Sequence, residues 1–249
     1  MKWIYLLLAG MLAMNAAAQD DAVPTPKRVE IPKISKEITI DGKLDEDTWH
    51  QAAVIEDFQE NMEGGPAPEA STLHLAYDEE NLYLGWSCKD KDILATYTER
   101  DASLWDEEVL EFFVAPHEDI SRYFELQWNP LNTVFDAIIV NTLDEAGMSE
   151  SFEGQHDWTA EGMEHGVTVQ GTVADPSDTD EGWQVEVAIP FATLESETPA
   201  AGDVWRGNFY RYSRTTGEEV VYVAWSPTYD HYHQPSRFGY LVFQNSAAE

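Results

Sequence analysis

The stretch RDASLWDEEVLEFFVAP, Arg100 to Pro116, decides the fold. A short polar run carries one tryptophan, Trp105, and three acids follow at Asp106, Glu107 and Glu108. From Val109 the pattern changes. Leu110, Phe112 and Val114 alternate with Val109, Glu111 and Phe113, and a period of two sends the sets to opposite faces of a sheet. Both sets are mostly apolar, which predicts an inner strand rather than an edge. Glu111 is the exception, a carboxylate between Val109 and Phe113 on one face. A charge placed there needs a partner, a hydrogen-bonding ligand or water.

Outward from this stretch the chain repeats the same grammar. STLHLAY, the turn Asp78-Glu79-Glu80-Asn81 and LYLGWSC form a hairpin, with Leu73, Leu75 and Tyr77 on one face. Ser121–Trp128 and Thr133–Asn141 are two further strands around a turn at Asn129-Pro130-Leu131-Asn132. Gly166–Val173 and Trp183–Ile189 alternate, Pro190 stops the latter, and a helical turn follows around Phe191–Leu194. Trp205–Ser213, Val220–Ser226 and Phe238–Phe243 complete the set. Upstream, Glu37–Ile40 reads as a strand, Asp41-Gly42 as a turn, and Asp45 as the N-cap of a short helix carrying Trp49. The acidic, Gly-containing segment Asp144–Trp158 reads as irregular. About ten to twelve short strands at this spacing, with no long amphipathic helix, predict an all-β sandwich.

Composition bounds the function. With 47 Asp and Glu against 14 Lys and Arg, the formal charge is −33, so nucleic acid and anionic membranes are repelled. Met1-Lys2, the apolar run Trp3–Met14 and Ala16-Ala17-Ala18 have the layout of a signal peptide, residues 1–18, which predicts export to the periplasm or beyond the cell without membrane insertion. Residues 19–30, with Pro24 and Pro26, read as a tether, and one domain spans 31–245. Cys88 is the single cysteine and shares a strand face with Leu82, Leu84 and Trp86, so a buried, inert thiol is expected.

The sequence holds no GxSxG, GxGxxG, P-loop or HExxH. Paired carboxylates, which glycoside hydrolysis needs, carry no information against so acidic a background. His231 and His233 are either metal ligands or loop histidines. Trp86, Trp183 and Trp225 belong to the core by their alternation, whereas Trp105, Tyr229 and Tyr232 lie among polar neighbours in loops. Loop aromatics beside carboxylates and amides suit a sugar, with a ring against its C–H face and polar groups on its hydroxyls.

Seven segments in order, from Ile38 to Phe243, resemble the family 9 carbohydrate-binding modules. They are IDGKLDEDTW, YDEENLYLGW, RDASLWDEEVLEFF, YFELQWNPLNTVFD, GWQVEVAIPF, WRGNFYR and PSRFGYLVF. The resemblance implies an Ig-like antiparallel β-sandwich with short helical turns that holds a sugar at one end between two aromatic rings, non-catalytically and with no required cofactor. The rings fall on Trp105 and Tyr232, and a hydroxyl-bonding glutamate falls on Glu111. An arginine expected on the next strand is replaced by Glu125, leaving Arg100 or Arg211 as the candidate cation. Structural calcium is implied, without identifiable ligands, and service to polysaccharide-degrading enzymes and carbohydrate catabolism is the expected context. The alternatives are an auxiliary part of a glycoside hydrolase system and a haem-binding electron-transfer sandwich, with His74 and Met148 as candidate axial ligands.

Overall fold

Val109–Ala115 is strand β6, and all seven of its residues are buried. The computed structural model describes residues 24–36 and 38–245. The expected signal peptide and most of the tether lie outside the described residues. The inner position of β6 follows from its two partners, β7 (Arg122–Trp128) and β12 (Val204–Ser213), one on each side.

The larger sheet continues from β7 through β8 (Val134–Leu143) to β9 (Ser149–Gln155), and from β12 to β14 (Gly239–Gln244) and β1 (Arg28–Pro32). Strand β12 forks. Its first half pairs with β14 and its second half with β13 (Val221–Ala224), which carries the short β3 (Gln59–Glu60) at the edge. The smaller sheet holds β2 (Ala53–Ile55), β4 (Ser71–Tyr77), β5 (Asn81–Lys89), β10 (Glu164–Gln170) and β11 (Gly182–Pro190), in the order β10-β11-β5-β4-β2. Four short 3-10 turns complete the elements, so the all-β sandwich expected from the alternation is the fold.

Several boundaries differ from the sequence reading. Residues 28–30 are part of β1, not of a tether, and β1 pairs in parallel with β14, the one parallel pair of named strands among the described residues. Residues 38–40 form no strand, and Glu37 lies outside the described residues. The helical turn at Asp47–Gln51 does carry Trp49, but it is preceded by Glu46 with no side-chain cap, so Asp45 is not its N-cap. Strand β9 emerges from the segment read as irregular. Its residues are exposed or partly exposed, so no apolar alternation marks it.

The IDGKLDEDTW segment is held from the far side of the smaller sheet. Glu186 accepts from the backbone N–H groups of Asp41 and Gly42 at 3.0 and 2.9 Å, and from Trp49 Nε1 at 2.8 Å. Gly42 takes φ +86°, and a Cβ there would sit 2.7 Å from the Val167 backbone, so the turn requires glycine.

The core lies between the sheets. Leu110, Phe112 and Val114 of β6 meet Leu73, Leu84, Trp86 and Val185 of the smaller sheet in one apolar cluster. Phe112 stacks on Phe209 at 4.8 Å. The opposite face of the larger sheet is also covered. Val109, Phe113, Tyr123, Phe135 and Tyr210 pack with Tyr232 and Phe238 in a second cluster under the loops. That second layer explains why β6 is apolar on both sides.

Cys88 sits in the core as expected, 2% exposed, and burial pushes its thiol up to about 12. Only the thiolate attacks disulfide reagents. Native protein at about pH 8 is therefore expected to label roughly a thousandfold more slowly than the denatured chain. Comparable native and denatured labelling rates would show that the strand opens readily.

Candidate functional site

A cavity of about 660 Å³ opens on the outer face of the larger sheet. Alternation builds its floor. Glu111 and Phe113 of β6, Glu125 and Gln127 of β7, and Phe135 and Ile139 of β8 all point away from the sandwich core. The walls come from the loops and edges: Trp105, Phe152 of β9, Tyr212 of β12, Tyr222 of β13 and the segment Asp230–His233. The site thus lies across a sheet face, where the resemblance placed it at one end of the sandwich.

Trp105 is half-buried in the helical turn Leu104–Asp106 and meets Phe135 edge-on at 5.1 Å. Arg214 braces this turn, donating to the carbonyls of Trp105 and Glu107, both at 3.0 Å. Phe152 and Tyr222 are exposed at the rim. Neither was marked by the sequence. Phe152 is a lone aromatic in a polar segment, whereas Tyr222 sits within the apolar strand Val220–Ser226 and reads as a core residue.

Tyr232 lines the cavity but is not a free jaw. It is 5% exposed, its ring lies 3.9 Å from that of Tyr210, and its hydroxyl lies within bonding distance of the carbonyls of Val223 and Arg211, at 3.0 and 3.2 Å. The ring expected to stack on a ligand therefore packs into the second apolar cluster. Tyr229 is half-buried under the guanidinium of Arg237 and lies outside the cavity lining.

His233 also belongs to the wall. Its ring stacks on Phe152 at 3.7 Å, its Nδ1 pairs with the Tyr123 hydroxyl at 2.6 Å, and burial with the nearby His231 takes it down to about 3. It is a neutral, engaged imidazole. Among the described residues no group of three or more His, Cys, Asp or Glu is placed to hold a metal ion.

Glu111 and Glu125 give the floor its character. They are 2% and 5% exposed. Gln127 lies opposite Glu111 in the register and donates its amide N–H to Glu125 at 2.6 Å. Glu111 Oε2 and Gln127 Oε1 are buried without a hydrogen-bond partner. Burial raises both carboxyls above the usual range, and for Glu111 the neighbouring Glu125 adds to it. The groups facing the pair are the wall histidine His233, the hydroxyls of Tyr123, Tyr210, Tyr212 and Tyr232, and Asp230 at the rim.

A stability prediction follows. A raised folded-state value means that the folded protein holds more protons than the unfolded chain once pH exceeds the ordinary carboxylate range. The stabilising contribution is complete at acid pH and lost as pH rises. The thermal midpoint is expected to fall between about pH 5 and pH 8, and Glu125→Gln should flatten that fall. A slope unchanged in the variant would assign the dependence to other groups.

A profile of the carbohydrate family 9 binding domain-like family matches residues 40–246. The chain belongs to this family. Its fold also matches solved structures at low identity. A proposed carbohydrate-binding protein of Bacteroides uniformis superposes with a TM-score of 0.68 at 17% identity, covering 88% of this chain and 100% of that one. A family 9 module of Caldicellulosiruptor kristjanssonii in complex with glucose gives 0.60 at 15% identity, covering 90% and 98%. The module from that organism in complex with cellotriose gives 0.60 at 14%, covering 89% and 95%. No curated protein sequence matches.

In this family 9 chain the two expected cations are elsewhere. Arg100 pairs with Asp136, which alternates with Phe135 on β8 and so lies on the opposite face of the sheet from the cavity. Arg211 is 1% exposed and alternates with Tyr210 and Tyr212, pointing into the sandwich. There it meets Glu108 at 2.7 Å, Asp90 at 3.0 Å, Glu69 at 3.2 Å and the Lys89 carbonyl at 2.9 Å. Neither lines the cavity. His74 lies on β4 of the smaller sheet against Trp49, whereas Met148 accepts from Ser236 beside β9 of the larger sheet. The two candidate axial ligands share no cavity.

Proposed function

We propose that the protein is an exported, non-catalytic carbohydrate-binding protein that holds a sugar in the cavity over β6, β7 and β8. One observation carries this reading. The cavity joins an acceptor-rich buried floor, Glu111, Glu125 and Gln127, to a rim of accessible rings, Trp105, Phe152 and Tyr222. A pyranose has both matching surfaces, hydroxyl donors at its edge and an apolar C–H face. The volume suits one or two sugar rings. Glucose and cellotriose, bound by the Caldicellulosiruptor kristjanssonii modules, make β-linked glucans the first ligands to try. The leader-like residues 1–18 support export, and service to polysaccharide degradation or uptake is the corresponding role.

Calorimetric titration with mono- and oligosaccharides tests the reading. Dissociation constants of order µM to mM are expected, roughly 4–8 kcal/mol. Absence of binding across neutral and charged sugars alike would defeat it.

A further inference from the structure

The cavity floor is rich in acceptors. Glu111 Oε2 and Gln127 Oε1 are buried, line the cavity and have no hydrogen-bond partner, while Glu125 takes only the Gln127 amide. The amide of Gln127 turns one of its two hydrogens to Glu125 and makes no bond to Glu111. No Lys or Arg is among the lining residues, and Asp230 adds a further carboxylate at the rim. Glu111 and Glu125 sit on adjacent strands of the same face with no cation between them.

A neutral hydroxyl can donate one hydrogen to such a floor but brings no charge to balance ionisation of the buried carboxyl pair. An alkylammonium donates three hydrogens and supplies the missing charge. The rings above it complete the environment, since Trp105, Tyr212 and Tyr222 offer π-faces that attract a cation as well as a pyranose. A net charge of −33 concentrates cations at the surface.

We propose that the preferred ligand is a sugar with a free amino group, a 2-amino-2-deoxyhexose or its oligomer, whose ammonium seats at Glu111, Glu125 and Gln127. This rests on the carbohydrate reading of the same cavity and names the ligand class within it. Glu125 and Glu111 are then the specificity residues, distinguishing an amine from a hydroxyl or an acetamido group at one position of the ring.

The test is a matched calorimetric series with glucosamine and its β-1,4 trimer, N-acetylglucosamine, glucose, cellotriose and ethanolamine. The amine sugars are expected to bind at least about tenfold more tightly than their neutral or acetylated counterparts. That preference should shrink in about 1 M NaCl. Glu125→Gln should remove most of it. Glucose and cellotriose binding as tightly as the amines would overturn the proposal and leave the carbohydrate reading intact. Ethanolamine binding as tightly as glucosamine would overturn it by showing that charge alone is read. If nothing in the series binds, both readings fall. The salt dependence is measured on wild type, so the proposal stays testable even if Glu125→Gln fails to fold.

Discussion

Replacement of Arg211 by methionine is expected to lower the unfolding free energy by about 3–5 kcal/mol. The guanidinium is the one cation among Glu108, Asp90 and Glu69, and Glu108 and Asp90 are both fully buried with it. Burial raises the Glu108 carboxyl well above its usual range, and the proximity of Asp90 adds to that. Arg211 is the interaction that opposes it. Burial alone would pull the guanidinium down, but the surrounding carboxylates carry it up. Methionine fills the volume and leaves two carboxyls to be protonated or hydrated in the core. Urea denaturation gives the measurement. The double variant Arg211→Met, Glu108→Gln should recover part of the loss, because it removes one of the stranded charges. A loss below about 1 kcal/mol for the single variant would mean that the network is no stronger than a surface pair.

The second large effect concerns binding. Trp105→Ala is expected to weaken sugar affinity by roughly 10- to 100-fold, in line with about 1–3 kcal/mol for burial of an aromatic face against a ligand. Trp105 is backed edge-on by Phe135 and braced through Arg214, so its ring is held in place before any ligand arrives. Pre-organisation of this kind limits the ordering cost of binding. Tyr232→Phe is the matched control. It removes a hydroxyl buried on two backbone carbonyls, which costs about 1 kcal/mol of stability, while sugar affinity should change by less than threefold. Equal dissociation constants for wild type and Trp105→Ala would separate the cavity from the binding activity.

Sequence reasoning served the fold better than the site, for a physical reason. Alternation reports which face of a strand is apolar, and that was enough to place β6 between two neighbours and to set Trp86, Trp183 and Trp225 in the core. It was silent on β9, because an exposed edge strand has no apolar face to alternate. The same limit hid Phe152. Trp105 and Glu111 were legible because each broke its local pattern, a tryptophan among polar residues and a carboxylate among apolar ones. Tyr232 was misjudged because loop position and exposure were equated. The loop that carries it folds back over an apolar sheet face, and its ring belongs to that second layer. Arg100 and Arg211 were chosen for charge alone, which says nothing about the face a side chain occupies.

The parallel pairing of β1 with β14 also constrains how the chain reaches its native state. Arg28 lies opposite Tyr240 and Pro32 opposite Gln244. Closing a loop of roughly 200 residues carries an entropic penalty that only late, non-local contacts can offset. The first strand of the domain must therefore wait for the last before it can be zipped in. Synthesis or translocation delivers Arg28–Pro32 long before its partner exists, leaving an unpaired strand through most of that interval. The order of chain delivery thus makes completion of this edge a terminal folding event. In refolding kinetics, substitutions in β1 should accelerate unfolding while leaving the folding rate nearly unchanged.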